Sequence, residues 1–247
     1  MGTILAEAME TTGSSVSTFA PFIYPMRLVA EAASAEIKQY VGLSDDLIAV
    51  HESQSISCIR VLSSADELTI DGDFQAVGAT MSISLNAESS GAELALRTVT
   101  RLRVTAAATM VGNSFTTKTR SIENAIGPVI VSKRLAPELV AAYADAAADV
   151  NPIHTDARIV GLLGFPERVV PGMLLAGLAE PAISHLGLGS LKELRTRFLA
   201  PCFVGERVSI TVSAPQAAQS TMRRFRVTIA RHEGPIACIS DVVLTDD

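Results

Sequence analysis

Residues 143–173 run YADAAADVNPIHTDARIVGLLGFPERVVPGM, and the fold and the chemistry both turn on this stretch. A small-residue helical pattern gives way to a polar bend and then to apolar helix. Asp149, Asn151, His154 and Asp156 crowd into the bend. Pro152 biases Asn151 away from helix, so the segment leaves as a loop, and loops on a rigid scaffold often carry catalytic groups. Asp149 and His154 are too far apart for one helical face and have a proline between them. A carboxylate and an imidazole converging there can hold a water, take its proton and hand a proton to carbon or oxygen. Asn151 suits tying the bend through its side chain. Asp149 as a helix cap and His154-x-Asp156 as a surface pair are the plainer alternatives. His154 and Asp156 give only two metal ligands with no Cys or further His nearby in sequence, so no metal site is expected. Gly172, behind Pro171, opens the next apolar run. It either merely starts a helix or offers an unpaired N–H to a developing oxyanion.

Outward from this stretch, Pro137 at a first helical position opens a helix over 138–148, with Leu139, Ala142, Tyr143 and Ala146 as its buried stripe. Residues 157–163 form a short helix closed by Gly164. Residues 172–186 form a longer one, buried on most sides through Met173, Leu174, Leu175, Leu178, Ala182 and Ile183. Strands follow at 191–199, 207–214, 223–231 and 236–245. Arg223, Arg224, Arg226 and Arg231 read as solvated strand positions, some of them fit to line a basic rim.

Upstream, 26–40 is one amphipathic helix. Strand-like runs come next at 56–62, at 68–74 with a turn signal at Asp71-Gly72, at 80–87 with Met81, Ile83 and Leu85 on one face, and at 92–106. Residues 129–131 suggest a short strand. Helix followed by several antiparallel strands occurs twice, an α+β pattern consistent with internal duplication. The expected divisions are a flexible N-terminus at 1–18, a first half at 19–112 without the Asp-to-His motif, a linker at 113–127, and a second half at 128–247 that carries the motif.

The 247 residues carry a net charge of −6. That balance argues against nucleic acid as the main partner, while local basic patches remain able to bind a phosphorylated small molecule. No apolar run reaches about 18 residues, so no membrane span is expected, and no signal peptide is apparent. Cys58, Cys202 and Cys238 are scattered, as buried free thiols of a reducing, cytoplasmic protein would be.

The residues D-V-N-P-I-H at 149–154, T-D after them, G-F at 164–165 and V-P-G-M-L at 170–174 resemble the MaoC-like, R-specific enoyl-CoA hydratase family, and FLAPCFVGERVSI at 198–210 is similar to its strand and turn after the central helix. The resemblance implies a double hotdog, in which antiparallel sheets each wrap a central helix. It implies reversible syn addition of water to a trans-2-enoyl-CoA, giving an (R)-3-hydroxyacyl-CoA. Asp149 and His154 match the catalytic pair, Gly172 the glycine whose N–H polarises the thioester carbonyl, and Asn151 the residue that supports the loop. Asn151, Phe165 and Met173 fall in the same motifs and are expected to touch substrate. The first-half helix, through Leu28, Val29, Ala32, Ala33 and Ile37, would form part of an acyl tunnel. The partner is an acyl-CoA or an acyl-carrier-protein thioester, with no separate cofactor, and two double-hotdog chains are expected to form a homodimer. Pro171 stands where the family usually has His, and Ala147-Ala148 where it often has glycine or a small polar residue. A hotdog thioester hydrolase and a non-catalytic MaoC-like binding or assembly subunit remain alternatives.

Overall fold

The computed structural model describes residues 22–23, 25–41, 47–60, 67–89, 93–106, 130–131, 134–149, 151–214, 223–232 and 234–245. The expectations for 1–18 and 113–127 lie outside these residues. Helix α1 spans Pro25–Val41. Among the described residues nine strands follow: β1 Leu47–Cys58, β2 Leu68–Val77, β3 Thr80–Ser89, β4 Leu94–Ala106, β5 Ile130–Val131, β6 Leu191–Phe198, β7 Val208–Ser213, β8 Arg224–Arg231 and β9 Ile236–Leu244. They make one antiparallel sheet in the order β2-β3-β4-β1-β6-β9-β8-β7-β5. Its seam is the pairing of β1 with β6, from Ser53 opposite Arg197 to Ser57 opposite Glu193. Between β5 and β6 the chain forms α2 (Pro137–Ala147), a 3-10 turn (Pro152–His154), α3 (Ala157–Leu162), α4 (Gly172–Gly177) and α5 (Ala179–His185).

The inner face is set by alternation. Met81, Ile83 and Leu85 point inward, as their period-2 spacing predicts, and are buried. Against the sheet lie Met173, Leu174, Leu175, Leu178, Ala182 and Ile183, all buried. Each large aliphatic side chain so removed from water contributes about 1.5–3 kcal/mol.

Four expectations are corrected. Residues 172–186 form two helices, because Pro181 lacks the N–H that would reach the Gly177 carbonyl. Asp71-Gly72 does not break β2. A Cβ at residue 72 would stand 2.3 Å from Cδ2 of Leu85 and 2.8 Å from the Ser84 carbonyl oxygen, so glycine there admits the neighbouring strand. The turn falls instead at Gly78, with φ +57°. Strand β1 begins nine residues before the expected start at Ile56, first through the apolar run Leu47–Val50 and then through the polar run His51–Ser55, which the alternation rule would leave as loop. The buried stripe of α2 is Val140, Tyr143, Ala144 and Ala147, so Leu139, Ala142 and Ala146 lie to its side. No helix among the described residues is long and apolar enough to cross a membrane.

Candidate active site

Helix α2 ends in a way that delivers Asp149. Ala148 adopts the left-handed conformation, φ 53° and ψ 34°. The Ala148 N–H donates to the Asp145 carbonyl at 3.3 Å and the Asp149 N–H to the Ala144 carbonyl at 2.9 Å. This is the paired closure that normally favours glycine at the left-handed position. It fixes the Asp149 backbone and leaves the carboxylate free to turn outward from the helix end. Oδ1 accepts the Asn151 N–H at 3.2 Å. The Asn151 Oδ1 accepts the Ile153 N–H at 3.3 Å and so caps the 3-10 turn that Pro152 opens.

That turn carries His154 inward, where it is 8% exposed. Nδ1 lies 2.7 Å from the Val169 carbonyl oxygen. A carbonyl only accepts, so Nδ1 bears the proton, and in the neutral ring Nε2 holds the lone pair. Nε2 stands 3.5 Å from Oδ2 of Asp149. Asp149 thus turns one oxygen to its own loop and the other to the imidazole. Val169 is itself tied down, its N–H donating to the Ile153 carbonyl at 3.0 Å. Asp156 takes no part. It caps α3 through the Arg158 N–H at 2.8 Å and pairs with the Arg158 guanidinium, whose hydrogen bonds hold its carboxyl below the usual range. No group of three or more His, Cys, Asp or Glu able to hold a metal occurs among the described residues.

Asp149, His154 and Gly172 line one cavity of about 1110 Å³, together with Asn151, Phe165 and Met173. The structure therefore brings together all six expected residues. Gly172 is the first residue of α4, and its N–H finds no acceptor among the described residues. Phe198 lies against it: a Cβ at residue 172 would be 2.9 Å from Cε1 of that ring. The apolar wall includes Val29 and Ile37 of α1, as expected, with Met26 and Ala30 beside them. Leu28 packs into the main core instead, and the side chains of Ala32 and Ala33 lie outside the described residues.

Three side chains in the site escaped the sequence. Tyr143 lines the cavity, and burial, with the Asp149 charge, pushes its hydroxyl well above its ordinary titration range. Phe198 ends β6 and lines the cavity. His51, on β1, packs its ring 4.7 Å from that of Phe198. Burial lowers its pKa to about 4 against the opposing pull of the Gln54 hydrogen bond and the Asp149 carboxylate, so the ring is neutral. Its Nε2 donates to Oε1 of Gln54 at 3.1 Å. Only a run of polar residues at 51–57 marks this contribution in the sequence, and that run resembles an exposed strand.

The family model described as MaoC like domain matches residues 107–232, just over half of the chain. An (R)-specific enoyl-CoA hydratase of Aeromonas caviae is 31% identical over 118 residues, covering 47% of this chain and 78% of that protein. A mitochondrial 3-hydroxyacyl-[acyl-carrier-protein] dehydratase of Solanum lycopersicum is 28% identical over 116 residues, covering 45% and 70%. Among solved structures, a MaoC-like dehydratase superposes with a TM-score of 0.74 at 17% identity over 94% of this chain and 86% of that one. A Mycobacterium tuberculosis protein described as having a double hotdog fold gives 0.57 at 13% identity over 98% and 85%. The fold is a double hotdog, and with a family match that spans the bend from Asp149 to His154 and the glycine at 172, the chain belongs to the MaoC-like dehydratase family.

Proposed function

We propose that the protein is an R-specific enoyl-thioester hydratase, adding water across the C2–C3 double bond of a trans-2-enoyl thioester and, in reverse, dehydrating an (R)-3-hydroxyacyl thioester. One observation carries this: Nε2 of His154 and Oδ2 of Asp149 lie 3.5 Å apart on the wall of the cavity that Gly172 also lines. A water held between them loses a proton to Nε2 as its oxygen bonds to C3. The π electrons move toward C2 and the thioester oxygen, where the Gly172 N–H stabilises the developing charge. C2 then takes a proton from the imidazolium on the same face, which restores the carbonyl and completes a syn addition. The Val169 carbonyl, by holding the Nδ1 proton, keeps Nε2 available for both transfers. The Asp149 carboxylate orients the water and stabilises the imidazolium. The names of the hydratase and dehydratase relatives fit this chemistry, on coenzyme A in one and on acyl-carrier protein in the other.

The test follows the loss of enoyl-thioester absorbance with crotonyl-CoA and chiral analysis of the product. Asp149→Asn and His154→Ala should each lower kcat/KM about a hundredfold or more with unchanged circular dichroism. Full activity in both variants ends the proposal. Release of free thiol in place of hydration would mark a thioester hydrolase.

A further inference from the structure

Within a chain of net charge −6, the outer face of the sheet along its seam is basic. Strand β1 presents Ser53, Ser55 and Ser57 there as a shallow trough. Strand β4 flanks it with Arg101 opposite Ser53 and Arg97 opposite Ser57. Strand β6 flanks the other side with Arg197 opposite Ser53 and Arg195 opposite Ser55. All four arginines are exposed. The carboxylates nearest them are already engaged: Glu52 with Arg103, Glu193 with Arg195, Asp241 with Arg226. Asp71 and Asp73 share the face but sit on β2, two strands from β4. The side chains of Arg97, Arg101 and Arg197 make no ion pair or hydrogen bond among the described residues.

The trough leads to the cavity. One step along β4 from Arg101, on the same face, Arg103 and its partner Glu52 line the cavity wall. One step past Arg197, Phe198 and Leu199 do so. Beyond them Ile48 of β1 clusters with Ile153 of the turn that carries His154, with Val160 of α3 and with Phe165 just after it. The apolar rim residues Leu162 and Leu199 are 83% and 39% exposed.

We propose that this face docks an acidic helix of an acyl-carrier protein, which delivers the thioester into the cavity; the proposal rests on the enoyl-thioester reading above. The β4 and β6 backbones lie about 9.6 Å apart across β1, close to the width of one helix. Arg97 and Arg101 lie about 13 Å apart along β4. Guanidiniums at these spacings match carboxylates over two to three turns of a helix, a larger footprint than one nucleotide needs, with Leu162 and Leu199 as the apolar edge. A second copy fits poorly, because a two-fold contact would set arginine against arginine. The net negative charge confines attraction to this face, within about 8–10 Å of it at physiological salt.

The experiment compares crotonyl-CoA with the crotonyl group on holo acyl-carrier protein, for the full chain and for Arg97→Glu/Arg101→Glu/Arg197→Glu. The expected result is a fall of about thirtyfold in kcat/KM on the carrier-linked substrate, lying in KM and shrinking with salt, while crotonyl-CoA changes less than about twofold. Equal falls on both substrates, no change on either, or a change in oligomeric mass by light scattering would each overturn the proposal. If the unmodified protein turns over neither thioester, the enoyl-thioester reading fails instead. Docking is then decided by fluorescence anisotropy with labelled holo carrier protein: salt-sensitive binding that the triple variant loses supports it, and equal or absent binding refutes it.

Discussion

Ala148 is the one described residue other than glycine with positive φ. An L side chain in the left-handed region costs about 1–2 kcal/mol, and here the strained residue immediately precedes Asp149. Ala148→Gly should therefore raise stability by about 1 kcal/mol, visible as a higher urea midpoint, while the two closing hydrogen bonds keep the carboxylate in place and activity intact. A drop in midpoint would show that the backbone relaxes some other way. Gly172 poses the opposite constraint. A methyl there meets the Phe198 ring at 2.9 Å, so Gly172→Ala should cost about 1–3 kcal/mol and depress kcat by moving the amide. Adding Phe198→Leu should return much of the stability; if it returns none, the ring is not what holds that position. Asp149, Asn151, His154 and Gly172 were legible in the sequence because one short segment carries the whole geometry: a helix end, an Asn-Pro bend and a helix start. Phe198 was not, because its approach to Gly172 depends on how β6 crosses α4.

Among the elements, those whose periodicity matches their burial were readable, and those governed by a single interruption were not. The alternation of β3 and the apolar faces of α4 and α5 were plain. The break between those helices depends on one proline. The continuity of β2 depends on Gly72 serving its neighbour rather than a turn. The 3-10 turn is the element on which the site leans most, since it swings His154 inward, and its cap is the Asn151 side chain. Asn151→Ala removes that acceptor while leaving the Asn151 N–H that Asp149 uses. The expected cost is about 1 kcal/mol in stability, with a fall in kcat larger than any change in KM. A fall confined to KM would place Asn151 against substrate instead.

Across the whole molecule the two halves meet through a buried polar row that hydropathy alone would turn outward. Thr100 of β4 donates to Oε1 of Gln54 at 2.7 Å, Gln54 of β1 stands opposite Thr196 of β6, and Thr196 lies 2.7 Å from Ser240 of β9, hydroxyl to hydroxyl. All four are buried. Polar groups so placed hold strands in register because any slip leaves them unpaired, which is why 51–57 forms the middle of a sheet although it reads as surface. His51 extends this row to the cavity by donating to the same Gln54 oxygen, and its burial has a consequence for pH. With its pKa lowered from 6.5 to about 4, the folded protein leaves the ring neutral where the unfolded chain protonates it. The unfolded state thus binds more protons as pH falls from about 6.5 to about 4, and folding stability declines across that window. The loss from this ring is up to about 3 kcal/mol, and less to the extent that the cavity hydrates it. Above pH 6.5 both states are neutral at this position and the effect vanishes. His51→Gln removes the titration while keeping an amide able to reach Gln54, and the carboxylates that also drive acid unfolding are common to both proteins. Urea midpoints measured from pH 7.5 to 4 should therefore fall more steeply for the unmodified protein than for the variant, with the curves diverging only below about 6.5. Parallel curves would mean that His51 is hydrated enough to accept its proton in the folded state, and the neutral wall it lends to the cavity would be lost with it.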